Sequence, residues 1–278
     1  MTVRTGFKTT DKVNKMRYRI IPAAIAIALL AAVIVSVNPA VLASELARSD
    51  LRFVAAAMLV STIGAAFRVL KWGVLVNVSF RKLLPIQLFG VSISNFTPGR
   101  LGELVKAVLL KMRYGAAVSA TLPSIIWERI NDILVLIALS VIAIQGMALE
   151  RDILYIGYAS VGVFALMILA FVAVLKSEKF GTHIFGLARR LPVLNRISEN
   201  FIHIFYKNKI RKRTILKSLA ITIVPWVLEG YIFYFSLQAV GLEADPLLLA
   251  GMVALSALIG VLSSLPGGIG SSEATLLL

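Results

Sequence analysis

Apolar residues dominate seven stretches of this chain, at about 20–37, 53–76, 84–96, 117–146, 153–175, 214–239 and 246–264, and the charged residues gather mostly between them. A helix crosses the hydrocarbon core of a bilayer with about 20 residues. The first, second, fourth, fifth and sixth stretches approach or exceed that length, while the third and the last run into Pro and Gly. The pattern predicts an all-α, polytopic membrane protein. The first stretch, Ile20 to Val37, follows a basic leader (Arg4, Lys8, Lys12, Lys15, Arg17, Arg19) and precedes Val41-Leu42-Ala43, which has the look of a cleavage site. The run is longer than the roughly 7–15 residues of a secretory signal core. It is therefore read as a retained first span.

Lys and Arg concentrate on the cytoplasmic side of membrane proteins. The leader is strongly basic, which places the N-terminus in the cytoplasm. The loop expected at 38–52 is balanced, with Glu45 and Asp50 against Arg48 and Arg52. Arg81 and Lys82 follow the second stretch, and Lys111 and Arg113 follow the third. The third stretch thus enters and leaves on one face, as a re-entrant hairpin. Residues 176–217 hold eleven Lys or Arg and two acids, the most basic part of the chain. The sixth stretch then crosses outward, and the last begins outside. This ordering predicts an inverted repeat with two re-entrant broken-helix hairpins opening to opposite faces. Its parts are a first half over 53–146, a basic interfacial segment over 176–213 and a second half over 214–278. The counterpart of the 117–146 span does not follow the second half, so the sequence reads as a fragment of a longer product.

Both hairpins carry one motif. Thr97-Pro98-Gly99-Arg100-Leu101-Gly102-Glu103 and Leu265-Pro266-Gly267-Gly268-Ile269-Gly270 share Pro-Gly-x-Leu/Ile-Gly, 168 positions apart. Pro removes a helical N–H and Gly loosens the backbone. In hydrocarbon such a break is tolerated only where protein buries it or water wets it. Breaks at matching places in two halves point to a transporter's binding site. Thr97-Pro98-Gly99-Arg100 suits a type II turn. A helix restarting after it aims free N–H groups at an anion, and Arg100 beside it grips phosphate with two prongs.

Composition narrows the chemistry. The 278 residues are 59% hydrophobic and 15% charged, with a mean hydropathy of +0.88 and a formal charge of +15. The basic residues lie beside the apolar stretches, which assigns them to a membrane surface. Aromatic residues interleaved with a basic groove are not evident, so nucleic acid is not expected as a partner. Cysteine is absent and the two histidines, His183 and His203, are twenty apart. No metal cluster, phosphate-binding loop, dinucleotide fingerprint or nucleophile elbow appears, and no cofactor is expected.

Ionisable groups at membrane depth cost about 2.5–3.5 kcal/mol each on insertion scales, so each calls for an account. Arg68 and Lys71, late in the second stretch beside Trp72, are expected to snorkel to the interface. Arg100, Glu103 and Lys106 share a helix face and can neutralise one another, or can frame an anion site. Glu128 and Asp132 are one turn apart, with Arg129 between them, and want a cation. Arg100 or Lys106 across the hairpin can supply it. Structural pairing is the favoured reading, with proton coupling as the sharper one. Glu229 stands alone among apolar residues and calls for a functional role or a partner in the other half. Glu273 complements a restarting helix capped by Ser271 or Ser272. Between 184 and 205, apolar residues recur every three or four positions, giving one or two helices broken at Pro192 with apolar faces dipping into the headgroups. The knot Lys207-Asn208-Lys209-Ile210-Arg211-Lys212-Arg213 follows.

Ser94-Asn95-Phe96-Thr97-Pro98-Gly99-Arg100-Leu101-Gly102-Glu103, Glu128-Arg129-x-x-Asp132 and Pro266-Gly267-Gly268-Ile269-Gly270-x-x-Glu273 together resemble the lysylphosphatidylglycerol synthase transmembrane family, also called flippase-like domain proteins. The resemblance runs from about residue 20 to the end. It implies a membrane domain with re-entrant helices, associated with moving aminoacylated or other anionic-derived phospholipids between leaflets. It places Arg100, Glu103, Glu128, Arg129, Asp132 and Glu273 at matching positions. The synthase proper carries a soluble aminoacyl-transferase domain, and nothing of that kind is in this sequence, so lysyl transfer is not implied.

The expectation is therefore a multi-pass protein of the cell (plasma or inner) membrane that translocates an anionic or aminoacylated phospholipid. Its headgroup would rest by Arg100 and the two helix breaks. Two rivals stand beside it. One is an intramembrane enzyme acting on a polyprenyl-phosphate or lipid headgroup, with Glu128 and Asp132 as acid and base. The other is a membrane partner that anchors a soluble synthase or glycosyltransferase through residues 176–217.

Overall fold

The structure, a computed structural model, describes residues 39–95, 97, 102–146, 151–188 and 199–262. The expected first span at 20–37 and the second Pro-Gly motif, with Pro266, Gly267, Gly268, Gly270 and Glu273, lie outside the described residues. So do Pro98, Gly99 and Arg100 of the first motif.

The described residues form helices and no strand: α1 (Pro39–Arg48), α2 (Leu51–Val76), α3 (Phe80–Asn95), α4 (Val105–Tyr114), α5 (Val118–Gly146), α6 (Arg151–Lys176), α7 (Glu178–Ala188), α8 (Glu199–Lys207), α9 (Lys212–Ala239) and α10 (Pro246–Leu262). Helix α1 occupies what the sequence suggests as a loop. Pro39 stands at its first position, where a missing N–H costs nothing, and helix formers follow it. Asp50 then opens α2, its carboxylate accepting from the Arg52 N–H at 2.9 Å. Asn77 closes α2 in the left-handed conformation, with φ of 54°.

Helices α2, α9 and the 157–176 part of α6 are long and apolar enough to cross a membrane. Helices α3 and α4, at 16 and 10 residues, are about 24 and 15 Å long. Each falls short of the roughly 30 Å hydrocarbon core. Helices α2 and α9 form the largest interface and run antiparallel. The Asp50 N–H donates to the Ala239 carbonyl at 2.9 Å at one end, and the Ser218 hydroxyl donates to the Lys71 carbonyl at 3.0 Å near the other.

Helix α5 is the hub. It touches α2, α4, α6, α8, α9 and α10, and Glu128, Asn131 and Asp132 along it are buried. Surrounding protein, rather than lipid, receives its charges. The outward apolar surface lies elsewhere, on Met58 and Leu59 of α2 and on Leu166 and Leu169 of α6. Leu136, Leu139, Phe164, Trp226, Ala254 and Leu258 pack α5 against α6, α9 and α10. A side chain at Gly251 would stand 2.6 Å from the Leu139 carbonyl and the Ala143 methyl. The missing Cβ is what lets α10 lie against α5. A second cluster, of Val69, Trp72, Leu83, Ile86 and Leu110, joins α2, α3 and α4.

Basic residues gather at one end of this bundle. Two cavities there are lined by the C-terminal part of α2, the ends of α4 and α6, the first turns of α5 and α9, and residues 208–211. Helices α7 and α8 flank Pro192 as the periodicity suggests, but α8 does not offer its apolar face to headgroups. Ile202, Phe205 and Tyr206 are buried against Leu122, Ile126, Val174, Leu175 and Phe185. Only α7 keeps an outward apolar face, through Phe180, Ile184 and Leu187.

Candidate functional site

Where α4 begins, the chain has just come back from the first Pro-Gly break. Thr97 bridges that break. Its hydroxyl donates to the Ser94 carbonyl at 3.0 Å and accepts from the Gly102 N–H at 2.7 Å. A Cβ on Gly102 would lie 2.8 Å from backbone atoms of Ile93 and Ser94, so only glycine permits this approach of α4's start to α3's end. Asn95 is the last residue of α3.

The turn delivers Glu103 and Lys106 to α5, and a chain of alternating charges results. Arg129 pairs with Glu103. The other oxygen of Glu103 lies 3.6 Å from Lys106 Nζ. Lys106 donates to Glu128 Oε2 at 2.6 Å. Glu128 Oε1 lies 3.7 Å from Lys71 Nζ, which pairs in turn with Asp132. Trp226 Nε1 donates to Asp132 at 2.9 Å. Three cations and three carboxylates thus alternate, with no net charge, across α2, α4 and α5. The neutrality is why such burial is tolerable: an unpaired ion in the interior costs several kcal/mol, and each ion here has an opposite neighbour.

The remaining shell is fitted to these groups. Lys106 is fully buried and lies over the Trp72 ring at 4.8 Å. It also donates to Gln87 Oε1 at 3.3 Å. Gly90 makes room for its stem, since the Lys106 side chain occupies the place of a Cβ there. Trp72 is held in turn by Ser124, its Nε1 donating at 3.2 Å. Glu103 Oε2 receives no hydrogen bond among the described residues.

A second ion pair lies beside the chain. Arg68 of α2 pairs with Glu229 of α9, and the two side chains are 26% and 28% exposed. Arg68 also lies over the Trp226 ring at 5.4 Å, so Trp226 touches both systems. An open cavity of about 200 Å³ between α2, α3 and α9 is lined by Arg68, Glu229, Gln87, Ser61 and Ser92. Glu229 is about 26 Å from the start of α9 and about 15 Å from its end, a mid-helix position.

The structure brings Gly102, Glu103, Lys106, Glu128, Arg129 and Asp132 together, as the sequence suggests, and sets Glu229 in the neighbouring pair. Lys106 is the partner of Glu128, one of the two cations proposed for it. Two expectations are corrected. Lys71 does not snorkel, being 4% exposed at the centre of the ion chain. Arg68 does not reach for the interface either, because Glu229 of α9 captures it. Both readings treated α2 alone, and the carboxylates that hold these cations come from helices distant in sequence. Thr97, Gly90, Gln87, Trp72 and Trp226 were not singled out as site residues. Their signal was adjacency to the motif or to a charge, which spacing alone does not rank.

No solved structure matches this chain. It is 26% identical over 273 residues to a UPF0104 membrane protein of Methanothermobacter thermautotrophicus, covering 90% of this chain and 81% of that protein. It is 24% identical over 257 residues to a UPF0104 membrane protein of Pyrococcus horikoshii, covering 81% and 76%. Over 67 residues, 24% of this chain and 8% of the other, it is 34% identical to the phosphatidylglycerol lysyltransferase of Bacillus subtilis. The family profile described as the lysylphosphatidylglycerol synthase TM region matches residues 19–278. The charged α4–α5 junction and the apolar spans are therefore those of a membrane protein that belongs to the lysylphosphatidylglycerol synthase transmembrane-region family.

Proposed function

We propose that this protein moves a phospholipid with an anionic or aminoacylated headgroup between the leaflets of the cell membrane, with its N-terminus in the cytoplasm. One observation carries the reading: a neutral chain of six ions, four of them buried, adjoins a partly exposed Arg68–Glu229 pair on a cavity open between α2, α3 and α9. A headgroup phosphate competes with Glu229 for the Arg68 guanidinium, while the lipid tails stay outside against apolar helix faces. The buried chain is the rigid support of that exchange. Glu128 and Asp132 each hold a lysine, which favours positioning over acid–base chemistry.

The inverted-repeat plan draws support from direction. Helix α3 starts at the basic end, just after Val78, and runs toward the break that follows Asn95. Helix α10 runs antiparallel to α9, with Gly230 against Pro246 and Ala250 and with Trp226 clustered with Ala254 and Leu258. Because α9 starts at the basic end, the two short helices that lead into the Pro-Gly motifs run in opposite directions, and rocking of the halves about the charged layer would alternate its exposure. The similarity to the Bacillus subtilis lysyltransferase over a short stretch supports a lipid headgroup as the cargo.

Leaflet exchange in reconstituted vesicles, measured with a fluorescent phospholipid panel of anionic, aminoacylated and neutral headgroups, tests this. The wild type is expected to exchange the anionic or aminoacylated lipids. Arg68→Ala is expected to slow exchange by about tenfold or more, the equivalent of losing about 1.4 kcal/mol in the limiting state. No exchange of any lipid above protein-free vesicles, from correctly folded protein, overturns the proposal.

A further inference from the structure

The basic segment is not used by that reading, and the two cavities at the basic end lie on either side of residues 208–210, which line both. One of them, of about 470 Å³, has an apolar wall of Pro123, Trp127, Leu175, Phe205 and Ile215. Lys176, Lys209 and Lys212 also line it. These three lysines are exposed, no carboxylate lines the cavity, and none of the three joins an ion pair among the described residues. Leu175 belongs to the apolar span of α6, and exposed Leu216 in the first turn of α9 lines the same cavity. The cavity therefore lies where apolar spans give way to basic ends.

We propose that this cavity is a second lipid site. It takes one anionic phospholipid from the adjoining leaflet, with the phosphate among Lys176, Lys209 and Lys212 and the upper acyl chain against Trp127 and Phe205. Charge and shape select this occupant. Three unpaired cations call for an anion, and the apolar wall below them would leave a free phosphate ion with most of the cavity unfilled. No member of the buried ion chain lines the cavity, so the site is separate from the translocation layer and does not depend on it. Each basic residue near an anionic surface contributes about fivefold in binding.

The test uses the purified full chain in detergent micelles and phospholipids brominated near the headgroup end of the chains. Trp127 is the partly exposed tryptophan, while Trp72 and Trp226 are buried, so quenching reports this cavity. Brominated phosphatidylglycerol is expected to quench at concentrations at least about tenfold lower than brominated phosphatidylcholine. The preference is expected to vanish in Lys176→Gln/Lys209→Gln/Lys212→Gln and to survive in the corresponding triple Arg variant. Trp127→Phe is expected to abolish the quenching. Equal quenching by the two lipids, a preference unchanged in the triple Gln variant, or quenching that persists in Trp127→Phe would overturn the proposal. So would displacement by inorganic phosphate as effective as by unlabelled phosphatidylglycerol, which would make this a site for free anions. Leaflet exchange is not the readout, so this proposal and the translocation reading stand or fall separately.

Discussion

Lys106 gives the sharpest test of the buried ion chain. Lys106→Met keeps the stem that fills the space beside Gly90 and removes the ammonium. Glu128 then retains only Lys71, at 3.7 Å, and Glu103 retains Arg129, so a cluster whose Lys106, Glu128, Lys71 and Asp132 are buried passes from neutral to one negative charge. Breaking a buried pair from one side costs about 3–5 kcal/mol. Loss of the ammonium above the Trp72 ring falls in the same direction. Glu128→Gln alone leaves the mirror-image fault, an excess cation at Lys106 and Lys71. The double variant Lys106→Met/Glu128→Gln is neutral again, and its cost is expected to fall about 2–3 kcal/mol below the sum of the singles, within the range of coupled neighbours. Equilibrium unfolding in mixed micelles, followed through tryptophan fluorescence, measures all four corners of the cycle. If the double variant equals the sum of the singles to within about 0.5 kcal/mol, the two side chains are not partners and the alternating chain is wrong.

Two further variants probe how the site is held. Gly102→Ala forces a methyl to within 2.8 Å of the Ile93–Ser94 backbone; it is expected to destabilise by about 1–3 kcal/mol in thermal unfolding and to slow leaflet exchange, because α4 can no longer deliver Glu103 and Lys106. Tyr206→Phe removes the hydroxyl that donates to the Val174 carbonyl at 2.7 Å and should cost about 0.5–1.5 kcal/mol in the same unfolding assay. Burial, and then the Glu178 carboxylate, push the Tyr206 phenol above its ordinary value. A raised value keeps the proton on in the folded state, so this contribution holds across neutral pH and is lost only as alkali removes that proton.

Much of the architecture was legible in the chain itself. The long apolar stretches at 53–76, 117–146, 153–175 and 214–239 each correspond to one helix, because a backbone in hydrocarbon must satisfy its own hydrogen bonds. Helix α3 ends at Asn95 and α4 begins at Val105, on either side of the adjacent Pro98 and Gly99, whereas single Pro residues are accommodated inside α3, α5 and α9. Glu128 and Asp132 lie one turn apart, and both face Lys71 as that spacing requires. The apolar period of residues 184–205 is carried into α8, where Ile202 and Phe205 lie on a buried face. It reports that one face is covered and not what covers it, and here protein covers it in place of headgroups.

The sequence by itself determined which long apolar segments are helical, where the chain breaks between α3 and α4, and that buried carboxylates needed cations, since helical period and backbone self-satisfaction are local. Only the tertiary structure decided the partners. Lys71 and Asp132 are 61 positions apart and Arg68 and Glu229 are 161 apart, so no spacing rule links them. Their helices meet because α5 can lose its charges from lipid only by being surrounded. Once α2, α4 and α9 close around it, each charge takes the opposite charge that packing sets within reach.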